Sequence, residues 1–338
     1  MNAIFQEQID RAAEDFRKWK KDDLCVCFPI ITDLHSNLTP GDPRICMKRF
    51  AAGHLELLPR FAEAAGADFA ADLGDEGFDV PLRTEEDCKQ LLGLLENAYR
   101  NSPVPVIHCI GNHDLYFPSR PIPPPEMTTA FWGAWLRKIN RGKTEFTTGD
   151  DGSYGFYDIP GKPCRVFFLN TSDDPGKAGF SAGQLDFLRG HLVDLPKDHT
   201  AVVLTHICPL TRARWKHYPP TDQSYRFPEL SEILSGFTAN GGRLAGVFSG
   251  DSHFDFFDFE DGVNYFVTQG YGGASPKSEL PPQSRIFHQF SETLGRSDTF
   301  DMDEYCLLDL VGIKLEKREI RIFRAGAGGF NYYRGAKF

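Results

Sequence analysis

Apolar residues along the chain fall into short continuous runs separated by stretches of helical spacing. VCFPIIT (26–32), ADFAADL (67–73), PVIHCI (105–110), RVFFLN (165–170), AVVLTH (201–206), LAGVFS (244–249) and NYFVTQ (264–269) are such runs, and CLLDLVGI and EIRIFRA follow near the end. Apolar character on consecutive positions, not alternate ones, predicts strands buried on both faces. Between the first two runs, Met47, Phe50, Ala51, His54, Leu55, Leu58, Phe61 and Ala62 recur at helical spacing across 46–65. Between the second and third, Cys88, Leu91, Leu92, Leu95 and Ala98 do the same. The first half therefore reads as β-α-β-α-β. The second half is richer in strands and closes on a hairpin, which predicts an α/β fold of packed sheets flanked by helices and not a dinucleotide-binding fold.

Two stretches break this rhythm. Residues 116–150 open on YFPSRPIPPPEM, whose prolines forbid regular ladder pairing, and continue into the helix-like FWGAWLRKI. Residues 207–228 carry prolines, aromatics and the basic groups Arg212, Arg214, Lys216 and His217. Each stretch follows a strand end, where α/β folds gather their ligand sites, so both are candidate rims or lids. Neither a repeat nor a low-complexity linker divides the sequence. One domain over 1–338 is expected, with a motif-bearing core at 24–270 and closing strands within 304–325.

With 338 residues, 41% hydrophobic and 25% charged, the chain has ample material for a core and no sign of disorder. A formal charge of -10 weighs against a nucleic-acid backbone or an anionic membrane as the main partner, because both are bound through basic surface. A small anionic substrate remains open if metal ions supply positive charge. No apolar run reaches the roughly 18 residues of a membrane span, and the N-terminal segment lacks the apolar stretch of a secretory signal. The eight cysteines are scattered, several in strand-like runs and none as C-x-x-C, which predicts buried thiols and a reducing, cytoplasmic compartment.

Candidate chemistry sits where the predicted strands end. Asp33 and His35 follow the first run, Gly74-Asp75 the second, and Gly111-Asn112-His113-Asp114 the third; His206 ends AVVLTH, and Gly250-Asp251-Ser252-His253 follows LAGVFS. His54 and His108, inside apolar stretches, read as satisfied core groups. Singly, an Asp after a strand is a turn or a cap. Together, the clusters bring carboxylates, an amide oxygen and imidazoles to one edge, and these are the donors that divalent Mn, Fe, Zn or Mg accept.

The series D-x-H, G-D, G-N-H-D, H and G-x-x-H, in this order over residues 26–253, resembles the calcineurin-like metallophosphoesterases. The resemblance implies a two-metal phosphoesterase with the ions at the C-terminal edge of the strands and Mn or Fe favoured over Zn or Mg. Asp33, His35 and His253 would hold the first ion, Asn112 and His206 the second, and Asp75 would bridge them. Asp251 stands where the family's usual G-H-x-H places a histidine on the second ion. His113 would protonate the leaving oxygen or stabilise the transferring phosphate, with Asp114 fixing its tautomer. Apart from the resemblance, the guanidinium forks of Arg212 and Arg214 make them, with Lys216, candidate substrate contacts, against the reading of a solvated basic loop. The substrate would be a small phosphate mono- or diester attacked by a metal-activated water. A metal-stabilised interaction module without catalysis and a nuclease are the rival readings, and the oligomeric state is open.

Overall fold

The computed structural model describes residues 3–36, 54–77, 84–116, 124–172, 178–210, 213, 226–253, 255–268, 270, 307–326 and 336–338. The elements run α1 (Ala3–Lys20), β1 (Cys25–Ile31), α2 (Leu57–Ala65), β2 (Ala70–Asp72), α3 (Glu85–Arg100), β3 (Val106–His108), α4 (Thr129–Ile139), β4 (Thr147–Thr148), β5 (Gly155–Asp158) and β6 (Cys164–Leu169). They continue with α5 (Ala182–Val193), β7 (Thr200–Thr205), α6 (Phe227–Ala239), β8 (Arg243–Ser249), β9 (Phe256–Glu260), β10 (Val263–Val267), β11 (Leu307–Lys314), β12 (Glu319–Gly326) and β13 (Ala336–Lys337).

The strands form two mixed sheets, ordered β13-β12-β11-β1-β2-β3 and β4-β5-β6-β7-β8-β10-β9. At the centre of the first, β1 runs parallel to β2 and antiparallel to β11; in the second, β6, β7, β8 and β10 run parallel. These central strands are buried along nearly their whole length, as continuous apolar runs require. Between the sheets, Phe28 of β1 stacks on Phe69 at 4.5 Å and meets Phe248 of β8 edge-on at 5.5 Å, while Phe248 stacks on Phe266 of β10 at 4.7 Å. Helices α1 to α4 join this core on the side of the first sheet. Helices α5 and α6 close a second cluster on the other side, through Leu185, Leu188, Leu230 and Leu234.

The predicted architecture and the closing hairpin are present, with three local differences. The run at 67–73 narrows to a three-residue strand because Asp68 is held in the turn after α2: its carboxylate accepts the Cys27 N–H at 2.8 Å and the Lys162 ammonium at 2.5 Å. Of the helix expected across 46–65, residues 46–53 lie outside the described residues, and the helix proper begins at Leu57. Of the segment 116–150, residues 117–123 lie outside them too. Its helix α4 is a core element, with Trp132, Leu136 and Ile139 buried and Asn140 at its end exchanging 2.8 Å hydrogen bonds with the backbone of Val106. No described helix is long and apolar enough to cross a membrane.

Candidate metal centre

Loops after β1, β2, β3, β7 and β8 meet at one edge of the sandwich. The parallel pairing of β1 with β2 continues beyond both strands: Asp33 N–H donates to Gly74 O, His35 N–H to Asp75 O and Ser36 N–H to Glu76 O, at 2.8 to 3.0 Å. Nine described non-glycine residues have positive φ, and Asp33, His35, Asp75, Asp251 and His253 are five of them. Left-handed backbone is unfavourable for residues with a Cβ, so its concentration at these positions marks a place where side-chain direction outweighs backbone comfort. Gly74, at φ 97°, has to be glycine, since a Cβ there would run into the backbone N of Gly111.

The side chains converge in two adjoining groups. In the first, His253 Nε2 lies 3.2 Å from Asp33 Oδ1 and 3.2 Å from His35 Nε2, which is itself 4.0 Å from Asp33 Oδ1. In the second, His206 Nε2 lies 3.2 Å from Asn112 Oδ1, 3.3 Å from Asp75 Oδ2 and 3.7 Å from Asp251 Oδ1. Asp75 Oδ2 faces both groups, at 3.8 Å from His35 Nε2 as well. Donor atoms of Asp33, His35 and His253, and likewise of Asp33, Asp75 and His206, lie within 4.8 Å of one another. All seven predicted ligands are thus brought together.

The donor set fits a divalent cation. His206 Nδ1 donates to the carbonyl of Leu73 at 2.6 Å, which leaves the Nε2 lone pair pointing at three oxygen acceptors. Asp33 Oδ1 is buried and accepts no well-directed hydrogen bond. Without a cation, the buried carboxylates favour protonation of the imidazoles beside them. Burial works against charge on His206, but Asp75, Asp33 and Asp251 outweigh it and hold the imidazole well above its ordinary range; Asp33, Asp75 and Asp251 raise His253 in the same way. Burial would raise Asp75, yet His206, His113 and His35 keep its carboxyl well below the usual value. Asp251 moves oppositely: burial, reinforced by Asp33 and Asp75, pushes it up to about 7.

A buried polar layer lies behind these ligands. Asp114 accepts the N–H groups of Gly111 (2.8 Å), Asp75 (3.0 Å) and Glu76 (2.9 Å), so its carboxylate ties two ligand loops together through their backbones. The Trp132 indole N–H of α4 donates to the Asp114 carbonyl at 2.8 Å, so the segment expected to form a rim supports this loop from within the core. His108 is a core group, as expected, bonded to Asp72 at 3.0 Å and stacked on Trp132 at 4.8 Å. His54 is half-buried at the turn into α2. His113 donates its backbone N–H to Asp75 Oδ1 at 2.8 Å, while its imidazole meets His35 edge-on at 5.0 Å and keeps a partly exposed face. Arg212 and Arg214 lie outside the described residues, as does most of 207–228.

Sequence reasoning passed over Asp72 and Glu76. Burial and the carboxylates of Asp72, Asp114 and Asp75 push Glu76 well above the usual carboxyl range. Nothing in G-D-E-G distinguishes a buried glutamate from a solvated one.

Carboxylates, imidazoles and an amide oxygen gathered on five strand-end loops of a two-sheet sandwich define a metal-dependent phosphoric ester hydrolase. The chain belongs to the calcineurin-like phosphoesterases, whose family model matches residues 28–255. Among solved structures, a dimetal phosphatase from Danio rerio superposes with a TM-score of 0.61 at 13% identity, over 90% of this chain and 97% of that one. GAP50, the anchor in the inner membrane complex of Plasmodium, is similar with a TM-score of 0.47 at 10% identity, over 93% of this chain and 88% of that one. At such identities the likeness concerns the fold. No curated protein matches the sequence.

Proposed function

We propose that the chain hydrolyses a small phosphate mono- or diester at a two-ion centre. Asp33, His35 and His253 would hold the first ion, and Asn112, His206 and Asp251 the second. Asp75 would be shared. The observation that carries this reading is the position of Asp75 Oδ2, 3.3 Å from His206 Nε2 and 3.8 Å from His35 Nε2, between the two groups. Two divalent ions held by these residues would supply an acidic water as nucleophile and positive charge against the phosphoryl oxygens, which a chain of net charge -10 otherwise repels.

The chain's own residues do the rest. His113, whose partly exposed imidazole places Nε2 3.9 Å from Asp75 Oδ2, is the group assigned to donate a proton to the leaving oxygen. Asp114 acts one step back. By gathering the N–H groups of Gly111, Asp75 and Glu76 it fixes the loop that carries Asn112 and His113 against the loop that carries Asp75. A module that only bound metal for stability would have no use for a partly exposed imidazole at this position, which favours catalysis over the interaction-module reading. Mn or Fe suits the mixed oxygen and nitrogen donors, and we read the chain as one domain working in the cytoplasm, in keeping with the buried free thiols of six cysteines. The test is hydrolysis of an activated aryl phosphate with Mn²⁺. Activity that appears with metal and vanishes with chelator is expected, and chelator-resistant hydrolysis would refute the reading.

A further inference from the structure

The family match ends at residue 255, yet the C-terminal hairpin β11–β12, well beyond it, reaches back to the ligand edge. Arg324 on β12 is buried and forms two forked ion pairs. Its Nε and Nη2 donate to the two oxygens of Asp309, both at 2.8 Å, and Nη1 and Nη2 donate to those of Asp255 at 2.6 and 2.7 Å. Asp309 is the cross-strand partner of Arg324 and also sits opposite Ile30 of β1, three residues before Asp33. Asp255 comes two residues after His253 and directly before β9 of the other sheet. A single guanidinium therefore fastens the first sheet, at the level where β1 departs toward Asp33 and His35, to the loop of the second sheet that carries His253.

We propose that Arg324 is a positioning residue that sets the first metal site by fixing His253 against Asp33 and His35 across the sandwich, an inference that rests on the metal reading of those three ligands. His253 holds a left-handed φ of 54° and needs external support to keep it. A planar fork can engage two carboxylates at once, whereas a lysine ammonium is a point charge with no such geometry. Stability alone is a poor reason for the arrangement, since a buried ion cluster can often be exchanged for apolar residues without loss.

Calorimetric titration of metal-free protein with Mn²⁺ tests this, using wild type, Arg324→Lys, Asp255→Asn, His253→Ala and the double variant Arg324→Lys/His253→Ala. Arg324→Lys should weaken one of two sites by about 10- to 100-fold, the range for loss of a group that orients a ligand, and leave the other nearly unchanged. Asp255→Asn should give a smaller shift at the same site and serves if the lysine variant does not fold. In the His253→Ala background Arg324→Lys should have no further effect, because the side chain it positions is gone. Unchanged affinity in both single variants, or an effect that simply adds to that of His253→Ala, would overturn the proposal. Wild-type protein that takes up no metal would instead overturn the reading of the site itself, and the clamp with it.

Discussion

The two edges of the sandwich are spanned by similar devices and burdened very differently. At the edge away from the ligands, Lys162, between β5 and β6, reaches the Cys25 carbonyl at 2.6 Å and Asp68 at 2.5 Å, joining the second sheet to the start of β1. Gly161 beside it takes the left-handed turn at φ 73° with open space around its Cα. Charges there are matched and partly solvated, as in the forked pair of Arg165 with Asp158 at 2.7 and 2.8 Å. At the ligand edge Arg324 does the spanning, but left-handed backbone falls on Asp33, His35, Asp75, Asp251 and His253, and Gly74 lies so near Gly111 that no Cβ would fit. Carboxylates there are buried in excess of local cations. At the first edge left-handed backbone falls on exposed turn residues such as Lys21, Asp261 and Arg318, whereas at the ligand edge it falls on buried or half-buried residues whose side chains converge, the arrangement expected where a cation completes the site.

Substitutions can break this contrast or sharpen it. The largest effect is expected from Asp75→Ala, which removes the carboxylate facing both ligand groups: metal-dependent hydrolysis should be abolished and metal content lost, by elemental analysis. His113→Ala should lower kcat by about 10²- to 10⁴-fold while metal content stays at the wild-type level, if its imidazole has the proton-transfer role proposed above. Equal metal loss in both variants would show that the roles are misassigned. Asp251→His, which restores the family's usual residue, should tighten the second site by roughly tenfold, the low end for a change in a site's ligand environment, and shift preference toward Zn²⁺ in calorimetric titration.

Two smaller effects concern stability. The folded pKa of Asp251, about 7, lies above the ordinary carboxyl value of 3.8, so its contribution to metal-free stability is full below the unfolded value and is lost as pH rises through about 7. In denaturant melts of metal-free protein, Asp251→Asn should therefore gain on wild type between pH 5 and pH 8, by an amount on the order of a few kcal/mol. A gap that does not vary with pH would count against a carboxylate strained by burial. Lys162→Met at the opposite edge should cost about 1 to 2 kcal/mol in the same melts and leave kcat and metal affinity alone.

How far the sequence was legible follows the same division. Continuous apolar runs located β1, β6, β7, β8, β10, β11 and β12, and the spacing of Cys88, Leu91 and Leu95 located α3, whose capping box of Thr84 and Asp87 fixes its start. The seven candidate ligands could be picked out because each is a donor-bearing side chain placed at a strand end. Helix α1 was passed over although Ile9, Ala12, Ala13 and Phe16 carry a helical stripe and are buried, because the N-terminal segment was read only for targeting. Asp114 was assigned to an imidazole, while its carboxylate engages backbone amides, a partnership that side-chain identity does not encode. The Arg324 cluster was invisible for another reason: Asp255 and Asp309 lie 69 and 15 residues away from it, and only the pairing of β11 with β12 and the packing of the second sheet on the first bring them together.

The claim that the strained edge is a two-ion hydrolytic centre is tested most directly by anomalous diffraction at the manganese edge from crystals grown with Mn²⁺. Two peaks are predicted, one among Asp33, His35 and His253 and one among Asn112, His206 and Asp251, with Asp75 reaching both. Density showing no ion at these residues, in protein that still hydrolyses an aryl phosphate, would contradict it.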